Sequence, residues 1–465
     1  MISFLQCYLD HLEKWKDVFL QARTFLVAIR LSLSCLCTPN RGTISQAISF
    51  SGRDQVDWSS DYKFFSRSKW KADELFIPII EETLSYFSDK NYITIAFDET
   101  KIKKTGKKIP GTQYHRDPLS PPFHTNLIYG SRIMQASVCI PLYSVAYSEP
   151  TASRAIPVLF EDAAVVKKPG KYATDEEISE YKKKKKINNL SNTFVRQLKE
   201  LRHRADNAGG QDKVIIAVGD GAFCNRTTFR HEVERANILV RCRKDSCLCF
   251  EDNSPDNKRF YSSEKFSPEA VRKSERDIWE ITYSFIGGKY RRVRFKVVND
   301  VLWQRGAKRK HLRLIVLAGM PYKTTKKGKT YYKQPAYLMT DNLDTPVEEL
   351  IQMYIDRWQI EVNFRDEKTI IRIGQAQVWN ANSVTKQPAF LAASYGMILL
   401  TSLKCRGPLR TDEYFPLPKW RKKSSRPSCN DLVSALTSDI VRKREKLKKY
   451  GMFINTKDIL EKSIA

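Results

Sequence analysis

No stretch of the sequence reaches the ~18 consecutive apolar residues that a bilayer-spanning helix needs. The most apolar early run, FLVAIRLSLSCLC, is short and contains Arg30. The opening MISFLQCYLDHLEKWKD carries charges of both signs, which is not the pattern of a secretory signal. Cysteine is too sparse for a disulfide scaffold, with ten in 465 residues. Cys242, Cys247 and Cys249 are clustered, but a fourth ligand at zinc-finger spacing is missing, and Cys35 and Cys37 have less around them. Reduced thiols, a cytoplasmic, nucleoid-associated location and no membrane partner are therefore expected. No internal repeat is visible. Acidic residues are the scarce charged class: 52 Asp and Glu against 80 Lys and Arg give a formal net charge of +28. The excess runs through nearly every segment. It points to a polyanion such as a nucleic acid, because neutralising phosphates releases counterions; the alternative is a basic but non-specific surface. A hydrophobic content of 42% is that of a folded protein, and the length calls for two to four domains.

Residues 1–90 read as helical, with periodic apolar residues over 3–37, a turn at Pro39–Gly42, and further helices in TISQAIS and WKADELFIPIIEETLSYF. Between the last two lies SSDYKFFSRSKWK, in which aromatics alternate with cations. It reads equally as part of a small helical DNA-binding domain or as a bundle whose aromatics are core. From Asn91 the pattern becomes mixed. NYITIAFDET carries a buried-strand run, Ile93 to Phe97, ending at Asp98. SRIMQASVCIPLYSVAYSE suggests two strands joined at Pro141, and TDEEISEYKKKKKINNLSNTFVRQLKELRHRA one long helix. KVIIAVGDGAF repeats the first pattern, with Val214–Val218 followed at once by Asp220, and NILVRCR is another short strand. A β-rich block then spans 242–340. Its clearest feature is the hairpin WEITYSFIGGKYRRVRFKVVND, turning at Gly287–Gly288, with Arg292, Arg294 and Lys296 on one face and Val293, Phe295 and Val297 on the other. HLRLIVLAGM and QPAYLMTD are further strands with a turn at KKGK between them. PAFLAASYGMILLTSLKC is a core helix, and the tail from 405 holds the basic linker PLPKWRKKSSRP and a polar helix from Asn430.

The segment YIDRWQIEVNFRDEK holds a different arrangement. On a helix with Glu361 at zero, Arg357 falls at about −40°, Tyr354 at about +20° and Lys368 at about −20°, forming one stripe. Ile351, Ile355, Trp358 and Val362 form an apolar face about a quarter turn away, able to dock on a core. Thr345, Pro346 and Glu348 read as N-cap, first helical residue and capping-box partner. Alone, such a stripe is as consistent with solvated ion pairs. Asp98 and Asp220 are each, alone, most simply turn formers or caps. Together the three carboxylates make a stronger combination. If they converge, a pair of Mg²⁺ ions would relieve their repulsion, since hard cations prefer oxygen ligands.

These motifs resemble the DDE transposases of bacterial insertion sequences, the group with a Y-x2-R-x3-E-x6-K signature. Tyr354, Arg357, Glu361 and Lys368 match that signature in full. Asp98-Glu99-Thr100 resembles the first acidic motif, and Asp220-Gly221-Ala222-Phe223 the second. The resemblance covers roughly 60–405. It implies an α/β fold with a ribonuclease H-like catalytic core: a mixed five-stranded sheet with flanking helices, interrupted by a β-rich insertion. The resulting organisation is an N-terminal helical DNA-binding domain (1–90), first core part (91–241), insertion (242–340), second core part with the Glu helix (341–404) and a basic tail with a helix (405–465). The implied catalytic and metal-holding residues are Asp98, Asp220 and Glu361, with two Mg²⁺ ions for which Mn²⁺ can substitute. The implied reaction is cleavage at transposon ends followed by strand transfer, in part of the group through a DNA hairpin. Double-stranded DNA, as terminal inverted repeats and as target, is the implied partner, bound by a homodimer. Arg357 and Lys368 would hold phosphates near the scissile position, with Tyr354 supporting one of them; separately, the Arg292, Arg294 and Lys296 face is expected to contact DNA phosphates, because three cations project from one side of a strand. A stacking tryptophan for a flipped-out base would be Trp303 or Trp279, each of which is otherwise a buried core residue. The competing readings are a different ribonuclease H-like endonuclease or resolvase, a catalytically retired DNA-binding derivative, and a basic structural scaffold.

Overall fold

The computed structural model describes residues 3–117, 120–121, 123–143, 150–163, 165–252, 259–325, 328–421 and 426–455. Twelve strands are present among them: β1 (Tyr92–Lys103), β2 (Gln113–Arg116), β3 (Leu127–Tyr143), β4 (Pro150–Asp162), β5 (Val214–Gly219), β6 (Ala236–Arg241), β7 (Glu280–Ile286), β8 (Lys289–Leu302), β9 (His311–Leu317), β10 (Pro321–Lys323), β11 (Thr330–Tyr332) and β12 (Ala336–Thr340). Ten share one mixed sheet in the order β2-β3-β1-β5-β6-β12-β9-β8-β7, with β4 also paired to β3. β1, β5 and β6 run parallel; β1 with β3, β3 with β4, and the neighbours from β6 to β7 run antiparallel.

The central strands are apolar throughout because both faces are covered. Ile93, Ile95 and Phe97 share the main core with Phe194 of the helix Leu190–Asn207, whose ring lies 4.6 Å from that of Phe97. Ala96 points the other way, with Ile360 and Phe364. Val218 and Ile216 lie on that second face with Leu350, Ile351 and Met353. A strand buried on both sides loses the polar alternation of a half-buried one.

Several expectations are corrected. The block 242–340 is no separate β layer: β7, β8, β9 and β12 extend the central sheet, which has ten strands among the described residues. β3 runs straight through Pro141, which pairs with Ser153. The proline is tolerated there because the pairing of β3 with β1 ends at Val138. The long lysine-rich helix is two, Asp175–Ile187 and Leu190–Asn207, because Asn189 leaves helical geometry and caps the second by accepting from the Asn192 amide. The turn at KKGK includes residues 326–327, outside the described residues; β10 and β11 pair on either side. Likewise residues 422–425 of PLPKWRKKSSRP lie outside them.

The helix Ala381–Arg406 is long and apolar enough to cross a membrane, contrary to the sequence expectation, but 89% of its most apolar window is buried inside the protein. The N-terminal helices provide much of that cover. Trp15 lies 5.6 Å from Phe390, ring to ring, and Phe64, Phe65 and Trp70 pack around the same phenylalanine. The aromatics of SSDYKFFSRSKWK divide accordingly: Phe64, Phe65 and Trp70 are core, while Tyr62 is exposed.

Candidate active site

The parallel register between β1 and β5 pairs Ala96 with Val218. Asp98 and Asp220 each stand two residues beyond that pair and so lie side by side; Asp220 follows the end of β5, whereas Asp98, expected at a strand end, is within β1, which pairs it with Gln135 and runs on to Lys103. Side chains two apart on a strand share a face. Asp98 therefore projects on the side of Ala96, toward Ile360 and Phe364. Asp220 ends β5 and caps the 3₁₀ turn Gly221–Phe223, its Oδ1 accepting from the Ala222 amide at 2.9 Å. The cap is real, yet it leaves the carboxylate close enough for its charge to act on Asp98.

The third carboxylate arrives from above that face. The expected single helix is two, Val347–Asp356 and Trp358–Thr369, joined at Arg357. The anticipated capping box is absent: Pro346 is the N-cap, with no side-chain hydrogen bond. Docking is done by Leu350, Ile351, Met353, Ile360 and Phe364, whereas Trp358 is 59% exposed. The break aims Arg357 at the sheet. Its Nη1 donates to Asp98 Oδ2 at 3.0 Å and its Nη2 to Glu361 Oε1 at 3.3 Å.

Electrostatics tie the group together. Burial pushes the Asp98 carboxyl up to about 6; Arg357 opposes this, while the Asp220 and Glu361 carboxylates add to it. Burial disfavours the Arg357 charge, but Asp98, Tyr354, Glu361 and Asp220 together hold its pKa above the ordinary value. The Arg357 guanidinium lies 5.9 Å from the centre of the Tyr354 ring. At the far end of the second helix, Lys368 Nζ donates to Thr100 Oγ1, two residues along β1 from Asp98, and burial lowers its pKa. All four stripe residues thus lie along the Asp98–Thr100 side of the sheet.

An open cleft of about 870 Å³ begins here, lined by Asp220, Tyr354 and Arg357 and walled by Arg241, Lys244 and Arg272. The cleft cations escaped the sequence reading. The available signal was Arg241 in NILVRCR, the last residue of the third parallel strand, one residue beyond the Gly219–Val240 pair and so beside Asp220.

The chemistry of the donor set fits divalent cations: three carboxylates supply hard oxygens and crowd their negative charge. Among the described residues no group of three or more His, Cys, Asp or Glu is drawn close enough to hold an ion as it stands. The Arg357 guanidinium bridges Asp98 and Glu361. Of the clustered cysteines, Cys242 and Cys249 are buried and Cys247 is exposed.

The β8 face is corrected in part. Arg292 and Arg294 are exposed, but Lys296 is buried, its Nζ donating to the carbonyls of Val271 at 3.2 Å and Arg272 at 3.3 Å and lying 4.7 Å from the Trp279 ring centre. Lys296 is an internal tie and does not face a ligand. Trp279 is taken as well, since Arg294 also sits 5.1 Å from its ring centre. Trp303 packs edge-on to Phe229 at 5.7 Å and against Gly306, where any Cβ would collide with its ring. It is a packing residue in this structure, not a free stacking platform.

Two nearby acids serve elsewhere. Glu99 faces Lys101 at 3.4 Å and Arg132 at 3.6 Å. The Asp341 side chain is buried and accepts from the Ile238 amide at 2.6 Å and Lys310 Nζ at 2.9 Å.

Residues 53–280 match the family model described as DDE superfamily endonuclease. The match takes in Asp98 and Asp220, ends before Glu361, and spans just under half of the chain. It supports a DDE-type transposase family, and with it a nuclease-type activity on DNA. Members of that superfamily use divalent metal ions. No protein with a curated description matches the chain.

Proposed function

We propose that the protein is a DNA transposase that cleaves strands at the inverted repeats ending a mobile element and joins the freed ends to target DNA. The observation carrying this reading is the gathering of Asp98, Asp220 and Glu361, from three distant parts of the sequence, around one arginine. Asp98, Asp220 and Glu361 are the proposed metal-holding carboxylates; bound Mg²⁺ or Mn²⁺ would supply a more acidic attacking water and charge for the departing oxygen. Arg357, now engaged by carboxylates, is proposed to turn one donor to a scissile phosphate when the carboxylates are otherwise satisfied. Tyr354 holds the guanidinium in place, and Lys368 holds a phosphate farther along the strand. The exposed Arg292 and Arg294 are proposed to contact the DNA backbone outside the cleft. The order β4-β3-β1-β5-β6, antiparallel then parallel, supports reading those five strands as a ribonuclease H-like core. A homodimer pairing two ends and a hairpin intermediate belong to the same proposal.

The test is incubation with duplex DNA carrying the flanking repeats, with and without Mg²⁺, resolved on a denaturing gel. Cleavage at the repeat boundary followed by joined products supports a transposase. Cleavage without boundary preference or joining would leave only an endonuclease. Binding without any cleavage in Mg²⁺ or Mn²⁺ would reject the catalytic reading.

A further inference from the structure

A second cavity, of about 190 Å³, lies behind the Glu361 helix. Its walls come from β4, from the helix Trp358–Thr369 and from residues leading into the helix Cys429–Arg442. Gln359 and Asp366 face it from about 140–160° round the helix from Glu361, and it shares no lining residue with the carboxylate cleft. One water takes ~30 Å³ of liquid, so the space exceeds any single solvent molecule.

Three guanidiniums line the cavity, those of Arg154, Arg365 and Arg426, against one lining carboxylate, Asp366. That carboxylate is already engaged: Oδ1 accepts from Arg365 at 2.9 Å and Oδ2 from the Tyr395 hydroxyl at 3.3 Å. Arg426 donates from one Nη to the Ser153 carbonyl at 2.5 Å and from the other to Gln359 Oε1 at 2.7 Å, and its charge interacts with Asp366 and Asp356. Arg154 is 7% exposed; one Nη donates to the Pro427 carbonyl at 2.6 Å, while its buried Nε has no hydrogen-bond partner among the described residues. Burial, followed by the neighbouring Arg154 charge, brings the Arg426 pKa down to about 10. Two buried guanidiniums share the one Asp366 carboxylate beside a void, and Arg154 keeps an unused donor; a further anion would balance the second charge and use that donor.

We propose that this cavity binds a phosphate group, held by Arg154, Arg365 and Arg426. The bound group would brace the Glu361 helix against β4 and the C-terminal helix. Arginine suits the task because its planar fork matches phosphate oxygens in pairs.

The proposal does not depend on the nuclease reading, and its test uses neither metal nor DNA in the first arm. Inorganic phosphate is titrated into the full chain by calorimetry, with chloride balancing ionic strength, and melting is followed in parallel. A saturable site that raises the melting temperature is expected. Arg426→Gln should abolish it, Arg365→Gln should weaken it by roughly fivefold or more, and Arg241→Gln in the cleft should leave it intact. Because Arg365 lies at the exposed mouth, its variant tests the site even if Arg426→Gln fails to fold. Phosphate effects matched by chloride, or unchanged in Arg365→Gln and lost in Arg241→Gln, would overturn the assignment. In a second arm, 5′-phosphorylated and unphosphorylated oligonucleotides compete with phosphate. Displacement by the phosphorylated strand alone assigns the site to a DNA end, and displacement by neither assigns it to the free anion.

Discussion

At the residue scale, neighbouring acids in this protein separate by environment. Asp98, Asp220 and Glu361 crowd one another beside an open cleft, whereas Glu99 and Asp341 are neutralised locally. Asp98→Asn, Asp220→Asn and Glu361→Gln should each abolish first-strand hydrolysis while DNA binding, measured by gel shift, is kept or strengthened. Glu99→Gln should cleave substantially. Asp341→Asn should lose roughly 1–3 kcal/mol of stability, because the uncharged amide keeps one acceptor oxygen and cannot serve both Ile238 and Lys310. Its activity should fall only with its folded fraction. An inactive but stable Asp341→Asn beside an active Glu361→Gln would mean the third ligand is misassigned. Ca²⁺ should support binding without cleavage.

A second residue-scale prediction concerns Glu367, fully buried beside Gln135, Lys368 and Asp366. Burial pushes its carboxyl up to about 8; Gln135 and the Lys368 charge oppose this and Asp366 adds to it. With the folded pKa above the unfolded one, the protonated acid is favoured by folding. Its stabilising contribution is complete below the ordinary carboxylate range and is lost as pH rises toward 8. Glu367→Gln should therefore flatten the decline in melting temperature between pH 5 and 8, with a gain of about 1–3 kcal/mol at the upper end. A variant with the wild-type pH slope would show that another group titrates.

At the element scale, the β8 hairpin illustrates what alternation can and cannot reveal. The sequence correctly sends Arg292, Arg294 and Lys296 to one face, but it does not show that the segment around Ser274 folds over the third of them. Neutralising Arg292 and Arg294 should reduce the salt slope of DNA binding by up to about 2. Lys296→Met should leave the slope unchanged and destabilise the protein, since three carbonyls lose the donor they share. A slope change in Lys296→Met of the same size would restore it to the DNA face. The central strands were legible because burial on both faces leaves an unbroken apolar run ending in an acid. The Tyr354–Lys368 stripe was legible because its spacing nearly survives the break at Arg357. The break itself was not, because the residues around it favour helix and only docking on the sheet bends the chain. The extension of the sheet was hidden for a related reason: β12 finds β6 about a hundred residues back, and local pattern carries no information on such pairing.

At the scale of the whole molecule, the N-terminal helices and the sheet share one core. Tyr8 shows how closely: its hydroxyl meets Ser32 Oγ at 2.7 Å and the Ser394 carbonyl at 3.3 Å, joining two N-terminal helices to the long core helix. Trp15 donates to the Leu75 carbonyl at 2.9 Å and packs on Phe390. A large apolar side chain fully buried contributes about 1.5–3 kcal/mol, so Phe4, Tyr8, Leu12, Trp15, Phe64 and Phe65 together contribute on the order of 10 kcal/mol. That equals the net stability of a typical domain. Removing them would also uncover the helix Ala381–Arg406, apolar enough to partition into lipid or aggregate. A fragment covering 91–465 should therefore be insoluble or melt without a cooperative transition, and one covering 1–90 should show no stable fold alone. Co-expressing the two should restore a soluble complex with the near-UV circular dichroism of the intact chain. A soluble 91–465 fragment with a sharp melt would instead make the first 90 residues an independent domain, free to move on DNA separately from the catalytic cleft.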